Sequence, residues 1–373
     1  MVTLKQKMRS LIDKGLISKI LIGIILLILI VVPIVRMLVY IDKESFDSVF
    51  GSKLFVKNLI NSLTSTAVAT VISIALGYLL AWAITRTDIK CKYLFTILIT
   101  LPMLIPSISH GMGLIILFGN NGIITRLLGA SNSIYGFWGV VVGSVLYSFP
   151  IAFIMIADIL KYEDQAPYEA ADVLGIPKIR QFTAITYPYI RKPMISVIFA
   201  VFTMIVTDYG VPLAVGGKFK TLPVMLYEEA VGQLNYSVGS VIGLVLLVPA
   251  LAAFLFDLFN KDKGNASYVQ RNYHTKNKWR DPLGYTVMSV CSFMVILVVF
   301  SFIIVAQVHE WTVALKNTVA HVHHVAQGGA LQIGLIAPIK LASTVVDIVP
   351  GILLAPLLVN LFGQRCNIRR LGN

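Results

Sequence analysis

Eight apolar runs dominate the chain, at approximately residues 20–40, 59–85, 93–118, 134–160, 194–215, 238–259, 283–305 and 341–362. Each is long enough to cross a hydrocarbon core of ~30 Å at ~1.5 Å rise per residue. In hydrocarbon every backbone polar group must be satisfied within its own helix or around a closed barrel. The runs lack the short alternation of barrel strands, so they read as helices and the chain as an all-α polytopic membrane protein. The charged fraction agrees, at 13% against about 25% in soluble domains.

The formal charge is +13, and its distribution speaks to topology. Of the 31 Lys and Arg, 22 fall in the N-terminal tail, in the loops after the second, fourth and sixth runs, and in the C-terminal tail. The other four loops hold seven. Such a skew over short loops places the basic side in the cytoplasm, with both termini inside. The charge is a topology signal and not a nucleic-acid footprint. The basic, then apolar, N-terminus is too long in its apolar part for a signal peptide and has no small-residue cleavage site, which predicts a retained anchor. Cys91, Cys291 and Cys366 are widely spaced and form no metal or disulfide pattern.

The loop between the fourth and fifth runs is unusual. It reads "YEAADVLGIPKIRQFTAITYP" over residues 168–188. Pro167 suits the first turn of a helix and Gly175 a left-handed helix stop. Pro177 can begin a second short helix, and Pro188 precedes the next run. The pattern predicts helix, sharp turn, helix on the cytoplasmic side. Ala170, Ala171, Val173 and Leu174 give the first helix a small apolar surface, and Glu169 and Asp172, three apart, a polar one.

Glu169-Ala170-Ala171, then Gly175, Ile185 and Pro188, closely resembles the "EAA" loop of binding-protein-dependent ABC importer permeases. The family pattern usually has Leu before the final proline, where this chain has Tyr187. The resemblance runs from about residue 53 to 259 and takes in "HGMGLIILFGNNG", "IYG", "TDYGVPLAVGG" and "VGQLNYSVG", which look like fused permeases for ferric iron, polyamines or 2-aminoethylphosphonate. It implies a type I ABC importer permease (MetI-like) core of about six spans, with about two extra C-terminal spans. It also implies a bacterial inner-membrane location and a coupling helix that docks into a cytoplasmic ABC ATPase dimer. Glu169, Ala170, Ala171, Asp172, Gly175 and Pro188 would carry that coupling. ATP and Mg would sit on the ATPase, and this chain would bind no cofactor. An extracytoplasmic solute-binding protein and a second permease unit, on the same or another chain, complete the implied set of partners.

An internal repeat points to a fused architecture. "TVISIALGYLLA" at 70–81 recurs as "TVVDIVPGILLA" at 344–355, with seven of twelve positions matching. The parts are then a tail and first span (1–52), a permease core (53–259) with its coupling loop at 161–192, a basic linker (260–282) and a partial second unit (283–373). The repeat offset places a second docking loop beyond residue 373, so the second unit reads as truncated. Lys340, Asp347 and Pro350 make the last run a poor membrane helix, because an internal charge costs ~2.5–3.5 kcal/mol on insertion scales.

Few ionisable groups lie inside the runs. Asp208 lies ~24 Å beyond Lys192, and His110 at similar depth above Tyr93. Intramembrane ionisable groups pair or line pathways, so Asp208 and His110, with Thr207 and Tyr209, are the candidate translocation residues. A polar clamp between helices is the alternative. Gly210, Pro212, Gly216 and Gly217 predict a broken helix end at the outer face, and Pro102 and Pro106 a kink in the third span. His321, His323 and His324 have no acidic or cysteine partner and read as a solvated loop. "HEWTV" at His309 lacks the second histidine of a zinc protease, and no Gly-rich loop precedes Lys-Ser or Lys-Thr. The reading is therefore a non-enzymatic permease subunit importing 2-aminoethylphosphonate or ferric iron, coupled through residues 163–188. The alternatives are a secondary transporter or channel, which would more often show inverted repeats, or a non-functional truncated permease. A membrane enzyme has no acid–base or metal constellation to support it.

Overall fold

The computed structural model describes residues 14–129, 134–164, 166–259 and 278–301, and among these the regular elements are all helical. The eighth apolar run, the second repeat copy, the linker at 260–277, His309 and the histidines at 321–324 lie outside the described residues.

Among the described residues six helices are long and apolar enough to cross a membrane, or seven if a bent pair is one span. Helix α1 (Lys14–Val39) is followed by a short α2 (Lys43–Gly51). Ser52 then caps the 34-residue α3 (Lys53–Arg86), its hydroxyl accepting from the Leu54 and Phe55 amides. At ~1.5 Å per residue α3 is ~51 Å long, so it reaches well past the hydrocarbon core.

The third run is not one kinked helix. It consists of α4 (Lys92–Thr100), a 3₁₀ turn at Leu101–Leu104 and α5 (Ser107–Phe118), and the two arms meet at 101°. Pro102 and Pro106 act in series, each removing a backbone donor and its helical bond. A short α6 (Ile123–Leu128) follows, and then α7 (Phe137–Lys161).

The fifth run also departs from its expected bounds. The helical path begins at Lys178, far before residue 194, and ends at Val206. Residues 210–215 form a separate helix, α11 (Gly210–Val215). The break falls where Asp208 caps the new helix, its carboxylate accepting from the Gly210 and Val211 amides at 3.2 and 3.1 Å. After α12 (Leu222–Tyr227), α13 (Tyr236–Phe259) and α14 (Arg280–Ser301) complete the described fold.

The main core lies between α3, α7 and the span ending at Val206, around Leu80, Phe149, Phe153, Ile156 and Val201. α3 and α7 approach closely because small residues face each other. A methyl group placed on Gly77 would lie 2.7 Å from the Ala152 Cβ and 2.8 Å from the Phe153 amide nitrogen. One turn away the Ser73 and Ser148 hydroxyls bond at 2.8 Å. This is how membrane helices associate without a hydrophobic driving force between them. α14 joins the same core through Met288 and Val295, and its Tyr285 hydroxyl accepts the Lys90 amide. α1, by contrast, has no buried residue in its apolar window and touches α13 through Tyr40 and Tyr236, with ring centroids 5.9 Å apart.

Gly77→Leu is expected to overpack the α3–α7 crossing by ~1–3 kcal/mol or more and to lower the melting temperature in detergent. Gly23→Leu on the open face of α1 should not. Fluorescence-detected size exclusion after heating compares the two.

Candidate functional site

The loop after α7 builds a helical hairpin. Helix α8 (Ala166–Val173) carries Pro167 in its first turn. Gly175 then adopts φ +66°, the left-handed conformation that lacks a steric cost only for glycine. Its amide donates to the Asp172 carbonyl, and the Ile176 amide to that of Ala171. α9 (Lys178–Gln181) follows Pro177. α9 does not stop before the next span: it passes through a π-turn at Phe182–Thr186 into α10 (Tyr187–Val206). Pro188 therefore sits within a continuous helical path. The π-turn and the first turn of α10 together absorb its missing donor.

The two predicted faces of α8 divide differently from the sequence reading. Ala171 is buried, while Glu169 and Ala170 are exposed. Val173, Leu174 and Ile179 are 88%, 75% and 81% exposed. They form an apolar tip with the turn between them. Asp172 does not join Glu169 on a docking face. Its carboxylate closes the turn, accepting from Lys178 Nζ and Gln181 Nε2, each at 2.6 Å. Those two bonds, Lys178 foremost, hold the Asp172 carboxyl below its usual range.

The hairpin is tied to the bundle by groups absent from the motif. Arg86, the last residue of α3, pairs with Glu163 just after α7, and the two side chains are 14% and 2% exposed. The Tyr168 hydroxyl donates to Glu163. Having given up its one proton, that oxygen accepts from the Thr186 hydroxyl in the π-turn. The Arg86 guanidinium also lies over the Tyr168 ring, 5.4 Å from its centroid. Burial pushes the Glu163 carboxyl up, while Tyr168 and Arg86 pull it down. Burial and the bond to Glu163 push the Tyr168 phenol up. The chain Arg86–Glu163–Tyr168–Thr186 thus joins α3, α7, α8 and α10.

The intramembrane candidates fall into two places. Asp208 and His110 lie close enough to interact, with the Ser107 hydroxyl bonded to the same carboxylate. His110 is buried, with Nδ1 at 3.3 Å from the Pro106 carbonyl and its ring 5.9 Å from that of Tyr147. Tyr209 turns elsewhere and stacks on Tyr227 at 5.2 Å. Thr207 is exposed and bonds the Thr203 carbonyl. Asp208, with Ser62, Ser65, Thr66, Ser144 and Thr221, also lines a narrow polar cavity between the helices. Among the described residues no cluster of three or more His, Cys, Asp or Glu could hold a metal ion.

A pair of broken spans, a polar locus between them and a wired hairpin outside the bundle are the marks of a transport subunit. Residues 73–262 match the family described as binding-protein-dependent transport system inner membrane component. The chain belongs to this family. It is 29% identical over 273 residues to the ferric transport system permease protein FbpB of Actinobacillus pleuropneumoniae, covering 69% of this chain and 39% of that protein. It is 27% identical over 175 residues to the molybdenum transport system permease protein ModB of Azotobacter vinelandii, covering 45% and 77%. The chain spans about half or less of the length of the ferric permeases it matches. The crystal structure of a bacterial alginate ABC transporter in complex with a pentasaccharide-bound periplasmic protein contains a chain of similar fold. Its TM-score is 0.52 at 16% identity, covering 68% of this chain and 94% of that one.

Arg86→Leu should destabilise the protein by ~3–5 kcal/mol, because it strands a buried carboxylate. Arg86→Leu/Glu163→Leu should recover most of that loss, and thermal unfolding of the purified protein measures both. The Asp172 contact obeys a separate rule. Its carboxyl is lowered in the fold, so the contribution is present at neutral pH and lost as pH falls through that lowered value. Hydrogen exchange at the Gly175 and Ile176 amides should therefore accelerate only on the acid side, and in Asp172→Ala at every pH.

Proposed function

We propose that this chain is the translocating subunit of an ATP-driven importer, and that the hairpin at 163–188 receives the power stroke. The observation that carries the reading is the apolar tip of Val173, Leu174 and Ile179. It stands outside the bundle on a base held rigidly to three spans. Apolar side chains presented to water in a cluster mark an interaction site. A groove on a cytoplasmic ATPase would cover them, with Glu169 beside the tip, Ala170 and Ala171 allowing close approach, Asp172 and Gly175 holding the turn, and Pro188 in the arm that leads to the span. ATP and Mg would be bound by that partner. In this reading, which the charge skew supports, the hairpin and both termini lie in the cytoplasm, and an extracytoplasmic binding protein would deliver solute to the other end.

A second permease unit would complete the pathway. The break at 207–209 and the bend at 101–106 bring Asp208 and His110 within electrostatic reach, which supports the reading that rocking helices move against each other there. The Asp208 carboxylate, already accepting from two amides and Ser107, serves in this reading as the clamp of that hinge. Thr207 and Tyr209 sit beside it as exposed residues of the route. The resemblance favours 2-aminoethylphosphonate or ferric iron as solute.

Co-expression with a candidate ABC ATPase from the same genome tests the coupling role. Glu169→Lys and Ile179→Asp should each reduce ATPase recovery on the purified subunit about tenfold or more. Lys19→Gln, on the same side of the membrane but outside the hairpin, should leave it unchanged. Undiminished recovery in both hairpin variants would remove the assignment.

A further inference from the structure

The end of the bundle opposite the hairpin carries a second concave site. The first turns of α3, the residues entering α7 and the loop after α11 surround an open cleft of about 450 Å³, a size usual for small-molecule sites. Lys57 and Lys218 reach it from different elements, with Asn61 between them and Tyr135 and Phe219 as its walls. Lys57 precedes Arg86 on α3 by about 43 Å of helix at ~1.5 Å per residue, so the cleft and the hairpin lie at opposite ends.

The charges in this cleft are uncompensated. Lys220, next but one to Lys218, is neutralised by both Glu228 oxygens at 2.7 Å. Among the described residues Lys57 and Lys218 have no carboxylate partner. The Asn61 amide is fixed by donating to the Lys220 carbonyl at 2.9 Å. Lysines are scarce at this end of the chain, so two in one cleft without acids set a local positive potential that a low-dielectric wall focuses. Further along α3, Ser62, Ser65 and Thr66 line a separate, very small cavity with Asp208. The Thr221 hydroxyl in that cavity is buried and without a partner.

We propose that this cleft binds a small oxyanion group, of the phosphonate or sulfate class. The assignment rests on the importer reading for its outward orientation. It deepens that reading by favouring an anionic solute, since two uncompensated lysines repel a polyamine or a bare ferric ion. Concave shape and paired ammonium groups suit a compact tetrahedral anion, which needs several donors converging on one centre.

The test uses the full chain in phosphatidylcholine nanodiscs with methylphosphonate as the probe, followed by ³¹P line broadening. Saturable binding is expected. It should weaken about tenfold in Lys57→Gln or Lys218→Gln, vanish in the double variant, and persist in Lys43→Gln, an exposed lysine outside the cleft. All three sites are on the surface, so the variants should fold, and size exclusion checks that they do. Repeating the titration with phosphatidylglycerol in the disc separates the sources of the anion: unchanged binding assigns the site to a soluble solute, and competition assigns it to a lipid headgroup. Absence of saturable binding in the first discs, or equal binding by the double variant, overturns the proposal. Anion binding that survives while the hairpin variants retain their ATPase would instead overturn the importer reading and leave the cleft's chemistry standing.

Discussion

The buried pair of Arg86 and Glu163 is the interaction on which the working geometry depends. A carboxylate that is 2% exposed is tolerable only with its oxygens satisfied. Here the guanidinium of one span and the phenol of the hairpin satisfy it. Tyr168 extends the same chain to Thr186, at the root of α10. A hairpin so attached cannot tilt alone, because any tilt would pull a buried ion apart from its partners. Push on its tip and the push arrives at three helices together. The uninterrupted helical path from Lys178 to Val206 gives the same result by a second route, since a helix transmits axial displacement better than a loop.

The opposite half of the bundle is built on a different principle. There the spans are cut: a 101° bend divides the third, and three residues separate α10 from α11. Each cut frees backbone donors that hydrocarbon will not satisfy. Asp208 satisfies two of them through the Gly210 and Val211 amides. The described fold thus joins an end tied by a buried ion pair to an end where two spans are segmented.

The gross plan was legible because it rests on strong physical signals. Among the described residues the first, second, fourth, sixth and seventh apolar runs are helices close to where hydropathy put them, and the turn at Gly175 follows from glycine's access to positive φ. What stayed hidden depends on contacts distant in sequence. Arg86 and Glu163 are 77 residues apart and look like ordinary flanking charges. Only their shared position at the basic ends of two neighbouring spans hinted at a pair. The spacing of Asp172 from Glu169 predicts a shared polar face, and the turn returns Lys178 and Gln181 to the Asp172 carboxylate. The fifth span was placed too late because Pro188 reads as a stop. A π-turn, which no composition rule marks, carries the helix past it.

Exposure of apolar side chains has two meanings in this molecule, and solvent decides between them. The leucines and isoleucines of α1 lie open along a run of mean hydropathy 3.0, and hydrocarbon is their solvent, so they need no partner. Val173, Leu174 and Ile179 are more exposed than those of α1, but they extend from a polar hairpin beyond the end of a span, where the solvent is water. Lysine at the two ends obeys a parallel logic. On the basic side it follows from topology and carries no further information. At the far end, where the same rule depletes it, an uncompensated pair in a concave site raises the local positive potential.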